Sequence, residues 1–164
     1  MAVSVDKPNL PLQLILLATI IVLGGAYGSQ YFGDLHPCKL CLYQRWPWWI
    51  AGGLALTAIL LPSVAHLKSR LMILVGLVLI VGSAIAVYHV GVEFKWWQGP
   101  ATCSGNIELP KSLSELHATL QRAPVVRCDE VSWSLFGISM AGYNALISAS
   151  AGIFSLVVGT RTTK

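Results

Sequence analysis

The chain has 164 residues, of which 55% are hydrophobic and only 11% are charged, and its formal net charge is +4. Soluble domains carry about 25% charged residues, so the composition excludes an ordinary soluble domain and is typical of an integral membrane protein. The positive charge therefore bears on membrane topology, and we expect no nucleic-acid partner.

Four runs of the chain contain no Asp, Glu, Lys or Arg, and each exceeds the roughly 20 residues that a helix needs to cross a bilayer. They cover residues 8–33, 46–67, 71–92 and 131–160. None shows the alternating ten-residue strands of a membrane barrel, so the runs predict helices. The first run could also be a cleaved signal peptide, but its length and the three runs that follow favour a retained span.

The predicted fold class is an all-α membrane protein, a four-transmembrane-helix bundle that forms a single integral-membrane domain over residues 1–164. The predicted spans are 11–31, 46–62, 71–90 and 135–158, with outer loops at 32–45 and 91–134 and a cytoplasmic loop at 63–70. All six tryptophans fall at the outer ends of these spans, as in an interfacial aromatic belt. They are Trp46, Trp48, Trp49, Trp96, Trp97 and Trp133.

Charge placement orients the predicted bundle. Both termini and the 63–70 loop share one side, which carries five Lys or Arg residues against one Asp, whereas the other side carries six basic and six acidic residues. In the short segments, four or five basic residues lie on the first side against two on the other, which favours cytoplasmic termini. All four cysteines then lie outside the cytoplasm, where thiols tend to be oxidised.

The cysteines allow three interpretations. An even number outside the cytoplasm first suggests two structural disulfides. A four-cysteine zinc site would use the Cys38-x-x-Cys41 spacing, but Cys103 and Cys128 are far apart in the sequence and offer no second such motif. The third interpretation is a redox pair, because a disulfide within Cys-x-x-Cys closes a very small ring and stabilises the fold little.

The neighbours of Cys41 favour the redox interpretation. Pro47 suits the first turn of a helix, so the second span is predicted to begin within residues 42–47. Cys41 would then lie at a helix N-terminus, where a thiolate is favoured. Arg45 adds a permanent cation four residues later, although it could equally meet lipid phosphate. A thiolate and a cation beside lipid indicate an electron acceptor that is dissolved in the membrane.

The second outer loop contains a predicted short interfacial amphipathic helix. Ser112 and Glu115 have the spacing of a capping box, and Pro124 ends the segment. Four leucines at 109, 113, 116 and 120 line one face, as in a helix that lies on a membrane. His89, near the outer end of the third span, is a functional candidate because ionisable residues are costly in lipid; an ordinary hydrogen-bonded interfacial histidine is the alternative.

Three stretches together carry a family resemblance: "CKLCLYQR" before the second span, "YHVGVE" at the end of the third, and "GPATC" in the second outer loop. With these stretches, the chain resembles the bacterial disulfide bond formation protein B (DsbB) family over nearly its whole length. Two features depart from some members of that family. Lys39 and Leu40 lie between the first two cysteines, and Gln44 occupies a position where an acidic residue is common.

The resemblance implies a protein-disulfide:quinone oxidoreductase of the bacterial inner membrane, with catalytic cysteines in periplasmic loops. A reduced periplasmic thioredoxin-fold oxidase, similar to DsbA, would attack Cys103 of a Cys103–Cys128 disulfide. Cys128 would then exchange with Cys38, which would pass electrons to the Cys38/Cys41 pair and sustain disulfide bond formation.

The resemblance also implies the cofactor, a membrane quinone that is either ubiquinone or menaquinone. Its binding residues would be Cys41, Arg45 and His89, with Arg45 stabilising negative charge on the ring; no metal is implied. A protein similar to vitamin K epoxide reductase is an alternative, although that family typically keeps its Cys-x-x-Cys within a later span. A membrane scaffold with purely structural disulfides is a third possibility.

Overall fold

The computed structural model describes residues 9–61, 65–100 and 126–162, together with Cys103 and Ser112. Four α-helices occupy most of these residues. They are α1 (Leu10–Tyr31), α2 (Lys39–Leu60), α3 (Ala65–Glu93) and α4 (Met140–Thr162). A small antiparallel hairpin, β1 (Ser134–Leu135) and β2 (Ile138–Ser139), precedes α4. The predicted interfacial helix falls outside the described residues, apart from Ser112.

The helices run alternately up and down. At one end of the bundle, the Lys68 ammonium at the start of α3 donates to Asn9 Oδ1 just before α1. At the opposite end, Arg45 near the start of α2 donates to Gln30 near the end of α1. The four cysteines lie at this second end, which we call the cysteine end.

α3 is the central helix, packed between α2 and α4, while α1 packs mainly on α2 and barely touches α4. Small residues allow the close packing of α3 with α4: a Cβ atom on Gly76 would lie 2.9 Å from the carbonyl oxygen of Gly152. The main core joins α1, α2 and α3. Its buried residues are Leu12, Ile15, Leu23, Trp48, Ala51, Ala55, Ala58, Met72, Val75 and Leu79.

Three of the four helices, α1, α3 and α4, are long and apolar enough to cross a membrane. The all-helical architecture that the sequence predicts is therefore confirmed in the described residues. α2 is not in this group because its first half carries Lys39, Gln44 and Arg45 as well as three tryptophans. The count of four membrane spans stays a prediction.

The predicted start of α2 within residues 42–47 is wrong, since the helix begins at Lys39. Cys38 is its N-cap, with extended backbone dihedrals and a sulfur that accepts a hydrogen bond from the Cys41 backbone N–H at 3.2 Å. Pro47 consequently lies inside the helix and is buried. The ring fits there because Gly82 of α3 has no side chain; a Cβ atom on Gly82 would lie 2.8 Å from Pro47 Cβ.

The predicted fourth span, 135–158, also begins too early, because α4 starts at Met140. Residues 134–139 instead form the hairpin, in which Leu135 pairs with Ile138. Phe136 and Gly137 make its two-residue turn with φ angles of 51° and 78°, the backbone that such tight hairpins require. Ser139, at the end of the hairpin, receives the Gly142 backbone N–H and so caps α4.

Candidate redox site

All four cysteines meet at the cysteine end of the bundle. Cys38, Cys103 and Cys128 belong to one buried cluster with Leu40 and Val92, and Cys41 packs against that cluster. Cys103 and Cys128 form a disulfide, the pairing that the family resemblance implies. Cys38 and Cys41 are both free, with their sulfur atoms 2.8 Å apart. One oxidised pair and one reduced pair therefore share a single buried cluster.

The segment after α3 brings Cys103 back to the bundle. The Trp97 indole N–H donates to the Tyr88 carbonyl oxygen at 2.9 Å, and its ring stacks on the Tyr88 ring. Gly91 allows this return, since a Cβ atom there would overlap the Trp97 ring. Near the disulfide, the Cys128 backbone N–H donates to the Cys103 carbonyl oxygen at 3.3 Å.

Three polar groups face the sulfur of Cys38: the Cys41 backbone N–H, the Cys41 thiol and the His89 imidazole. The His89 Nε2 atom lies 3.5 Å away at the end of α3. The hydrogen bond with the Cys41 thiol lowers the pKa of the Cys38 thiol to about 4; burial opposes this effect, while His89 and the Cys41 backbone N–H add to it. The same thiol hydrogen bond and burial raise the pKa of Cys41. Cys38 is thus the more acidic thiol of the reduced pair, whereas the sequence predicts the thiolate on Cys41.

The lower pKa lies on Cys38 and not on Cys41 because α2 starts earlier than the sequence predicts. Because α2 begins three residues before the predicted range, Cys38 occupies the N-cap, and the Cys41 backbone N–H of the first helical turn donates to its sulfur. Cys41 lies one turn inside the helix. From there, Cys41 and Arg45 are four residues apart in regular helix and share a face.

A cavity of about 450 Å³ opens at the cysteine end, where α1 and α4 barely touch. Its polar wall contains four of the sequence-predicted site residues, Cys38, Cys41, Arg45 and His89. Its apolar wall is built by α1, α2 and α4 and includes Ile21, Val22, Leu23, Trp48 and Ile147. The other two predicted residues, Cys103 and Cys128, do not line this cavity but pack in the cluster with Cys38.

Arg45 faces α1. Its guanidinium donates to Gln30 Oε1 at 2.8 Å and to the Ala26 carbonyl oxygen at 3.3 Å, and its Cζ lies 4.6 Å from the centre of the Tyr27 ring. A guanidinium has five N–H groups, so these two hydrogen bonds leave donors for a ligand in the cavity. A cavity of this size, mostly apolar with a few converging polar groups, fits an apolar ring that carries carbonyl oxygens.

His89 is surrounded by polar side chains that the sequence did not predict as site residues. Gln44 Nε2 lies 2.6 Å from His89 Nδ1, and Gln44 Oε1 accepts a hydrogen bond from Asn144 Nδ2 at 2.8 Å. The Trp48 indole N–H donates to Asn144 Oδ1 at 2.9 Å. On the other side of the imidazole, Glu93 Oε1 lies 4.0 Å from His89 Nε2.

One of these residues, Asn144, could have been predicted from the sequence as a site residue. Asn144 is a polar residue within an apolar run, which already indicates an internal partner. Trp48, however, was predicted as part of the outer aromatic belt and is 1% exposed, whereas the other five tryptophans are at least 41% exposed. Its buried indole N–H finds an acceptor in Asn144, which is 96 residues away in the chain.

By distance alone, Cys38, Cys41 and His89 could hold a metal ion, because their ligand atoms all lie within 4.8 Å of one another. A histidine that binds a metal normally donates its other ring N–H to an acceptor. Here the other nitrogen of His89, Nδ1, faces the amide nitrogen of Gln44, which can only donate. The donor set therefore fits a thiol pair with a hydrogen-bonding histidine better than a metal centre.

Comparison with known proteins decides the family. A sequence profile described as "Disulfide bond formation protein DsbB" matches residues 8–158. The chain belongs to the DsbB family. Members of this family are membrane proteins that act as oxidoreductases in disulfide bond formation, in agreement with the apolar helices and the clustered cysteines.

Individual relatives agree with the DsbB assignment. Disulfide bond formation protein B of Shewanella loihica is 30% identical over 93% of this chain and 88% of its own length. The protein of the same name from a Polaromonas species is 26% identical over 94% of this chain and 92% of its own. An uncharacterised protein of Rickettsia prowazekii is 32% identical over 87% and 83%. No solved structure gives a significant match.

Proposed function

We propose that the protein reoxidises a periplasmic thioredoxin-fold dithiol oxidase and passes the electrons to a quinone of the bacterial inner membrane. The observation that carries the proposal is the position of Cys38. It shares a buried cluster with the Cys103–Cys128 disulfide and also lies beside Cys41, which lines the apolar cavity. One sulfur thus links the disulfide that a partner would attack to a site where an apolar oxidant would bind.

The first step would be thiol–disulfide exchange at the Cys103–Cys128 bond. A thiolate of the partner's dithiol would attack Cys103, and Cys128 would leave as a thiolate. The partner's second thiol would then displace Cys103, so that the partner gains a disulfide and the Cys103/Cys128 pair gains two electrons. Such exchange depends on an accessible sulfur and a good leaving thiolate.

The second step would move the electrons inward. With the Cys38/Cys41 pair oxidised, the Cys128 thiolate would attack Cys38, and Cys41 would leave as a thiolate. In this mixed state Cys38 is bonded to Cys128, so the negative charge lies on Cys41, one helical turn from Arg45. The Cys103 thiolate would then restore the Cys103–Cys128 disulfide and release Cys38. The resulting arrangement, an outer disulfide with an inner dithiol, is the one present in the structure.

The residues around the cavity suit a quinone. Arg45 has N–H donors that no hydrogen bond within the described residues uses, the α1 and α4 side chains supply apolar contacts, and Cys41 lies in the wall. A bound quinone would accept the two electrons that are lost when the Cys38/Cys41 pair becomes a disulfide, together with one proton from the Cys41 thiol and one from solvent. The chain's own contribution is to hold the thiolate near the ring and to stabilise charge there.

The proposed topology places the cysteine end on the periplasmic side and both termini in the cytoplasm. The basic residues Lys68, Arg70 and Arg161 belong to the opposite end of the bundle, where α3 begins and α4 ends. An excess of Lys and Arg marks the cytoplasmic side of membrane proteins. The partner's dithiol would then meet the Cys103–Cys128 disulfide in the periplasm, and the quinone would enter from the bilayer.

Quinone reduction by the purified protein tests the proposal. The assay is anaerobic and supplies a reduced thioredoxin-fold dithiol oxidase and a water-soluble quinone analogue. We expect turnover by the wild type, its loss in both Cys41→Ser and Cys103→Ser, and normal turnover in Ser150→Ala, a control on the exposed face of α4. A wild type that gives no turnover while its cysteines resist exchange would leave them as structural bridges and refute the proposal.

A further inference from the structure

Four side chains form a continuous line of hydrogen bonds across the bundle, from α2 through α4 and back to α2 and α3. Trp48 donates to Asn144, Asn144 donates to Gln44, and the Gln44 amide nitrogen lies against His89 Nδ1, at 2.9, 2.8 and 2.6 Å. Trp48, Gln44 and His89 are 1%, 6% and 3% exposed. Asn144 is partly buried, and all four residues line the cavity at the cysteine end.

The direction of the line is set by the indole at its beginning. An indole N–H can only donate, so Asn144 must turn its oxygen to Trp48 and its amide nitrogen to Gln44. Gln44 must then accept with its oxygen and present its own amide nitrogen to His89. Because an amide nitrogen only donates, the Nδ1 atom of His89 must accept. A neutral imidazole carries one proton, which is consequently on Nε2.

The Nε2 atom faces the redox pair, since it lies 3.5 Å from the Cys38 sulfur. We propose that Trp48, Asn144 and Gln44 are positioning residues that hold His89 in the Nε2–H tautomer and direct this proton at the sulfur of Cys38. The inference rests on the proposed function only in giving Cys38 a role in exchange. Orientation of a catalytic imidazole by a hydrogen bond to its other nitrogen is a general device.

The tautomer decides what His89 can do. With its proton on Nε2 and its Nδ1 lone pair occupied by Gln44, His89 has no free site for a proton from Cys38. It therefore acts as a hydrogen-bond donor that stabilises negative charge on Cys38 and does not act as its base. Charge develops on Cys38 whenever this sulfur leaves a disulfide or prepares to attack one, so His89 would assist both steps.

Other titratable groups near His89 leave this assignment intact. Cys38 and Cys41 face it from the start of α2, and Glu93 lies one turn along its own helix. Glu93 is 4.0 Å from Nε2, which is farther than Cys38, and its other oxygen accepts a hydrogen bond from the Ser139 hydroxyl of β2. The remaining titratable residues of the cavity wall, apart from Tyr143, are His36, Arg45 and Glu130.

Nitrogen NMR of the purified protein, labelled at the histidine side chains, tests the tautomer directly. The signals of His89 are identified by their loss in His89→Asn. In the wild type we expect Nε2 to carry the proton and Nδ1 to carry none. Gln44→Glu places an acceptor at Nδ1, so we expect a proton to appear on Nδ1. No quinone or partner is needed, so a negative result here is distinct from a failure of the proposed electron relay.

A second, isosteric variant acts two links away from the histidine. In Asn144→Asp the side chain cannot donate, so Gln44 would turn its amide nitrogen to the new carboxylate and its oxygen to His89, and Nδ1 would again carry a proton. Ser148→Ala is the matched control: it removes only a second donor to Asn144 Oδ1, at 3.3 Å, and leaves the indole in place. We expect this variant to keep the wild-type tautomer.

Gln44→Glu and Asn144→Asp test the same tautomer independently, so either variant suffices if the other fails to fold. A proton on Nδ1 in the wild type would overturn the proposal. So would an unchanged tautomer in whichever of Gln44→Glu and Asn144→Asp folds. A general loosening of the structure would not reproduce the expected pattern, because it would broaden the His89 signals without moving the proton from one nitrogen to the other.

Discussion

The imidazole of His89 lies 3.5 Å from the sulfur of Cys38, although 51 residues separate the two in the chain. This contact joins the last turn of α3 to the N-cap of α2. Together with the Cys41 thiol and backbone N–H, it surrounds the Cys38 sulfur with donors. The lowered pKa of Cys38 therefore places the more acidic thiol of the reduced pair at the helix N-cap, where negative charge is stabilised.

The lowered pKa of Cys38 predicts reactivity that persists far into the acid range. In a Cys103→Ser/Cys128→Ser background only Cys38 and Cys41 remain, and alkylation of Cys38 can be followed by mass spectrometry as a function of pH. Because a thiolate is the reactive form, the rate should stay high above the pKa of about 4 and fall as the pH drops through it.

Removal of His89 should shift the pH dependence of Cys38 alkylation to higher pH. His89→Leu deletes one of the donors to Cys38, so the thiolate should require a higher pH. The shift should be only partial, because the hydrogen bond with Cys41 is the larger cause. His36→Ala is a suitable control, since His36 lines the same cavity but contacts Asp34 instead. An unchanged profile in His89→Leu would show that this contact has no influence on Cys38.

Arg45 should contribute to quinone affinity. A hydrogen bond to a charged group is worth about 1.5–3 kcal/mol, so Arg45→Leu should raise the KM for a quinone analogue by about ten- to a hundredfold. Arg45→Lys should raise the KM less than Arg45→Leu does, because lysine keeps the positive charge although it lacks the forked donors of a guanidinium. The control is Gln30→Ala, which removes a partner of Arg45 that does not line the cavity. Equal KM values for all four proteins would exclude Arg45 from the quinone site.

Much of this architecture could be read from the sequence. The uncharged runs predict the helices, and the loop positions predict that all four cysteines gather at one end. The four-residue spacing of Cys41 and Arg45 predicts a shared face. These features depend only on local residue pattern and on the order of elements along the chain, and the sequence contains both kinds of information.

The remaining features depend on contacts between distant residues. Pro47 is typical of a helix start, but it lies within α2, where its ring packs into the gap left by Gly82 on α3. Trp48 is of a residue type common at membrane interfaces, but it packs in the main core, where Asn144 on α4 accepts the hydrogen bond of its indole N–H. The start of α2 and the hydrogen-bond line to His89 therefore could not be predicted without the packing of α2 against α3 and α4.

Gly91 should be intolerant of a side chain. Even a methyl group there would overlap the Trp97 ring. Trp97 belongs to the segment between α3 and Cys103, and its hydrogen bond to the Tyr88 carbonyl oxygen holds that segment against α3. Overpacking typically costs about 1–3 kcal/mol, so Gly91→Ala should lower the thermal unfolding midpoint in detergent. Gly53→Ala is the matched control, because a Cβ atom on Gly53 meets nothing within 4 Å. A stability of Gly91→Ala equal to that of the control would mean that Trp97 does not pack on this glycine.

In the proposed relay, the two cysteine pairs exchange electrons through Cys38 and Cys128. The most direct test is a Cys41→Ser/Cys103→Ser variant, in which only these two cysteines remain, compared with Cys38→Ser/Cys103→Ser, which keeps Cys41 and Cys128. After mild oxidation, free thiols are counted with a mass-tagged maleimide. We predict an intramolecular Cys38–Cys128 disulfide in the first variant and free thiols in the second. Free thiols in the first variant, or equal bridging in both, would contradict the relay.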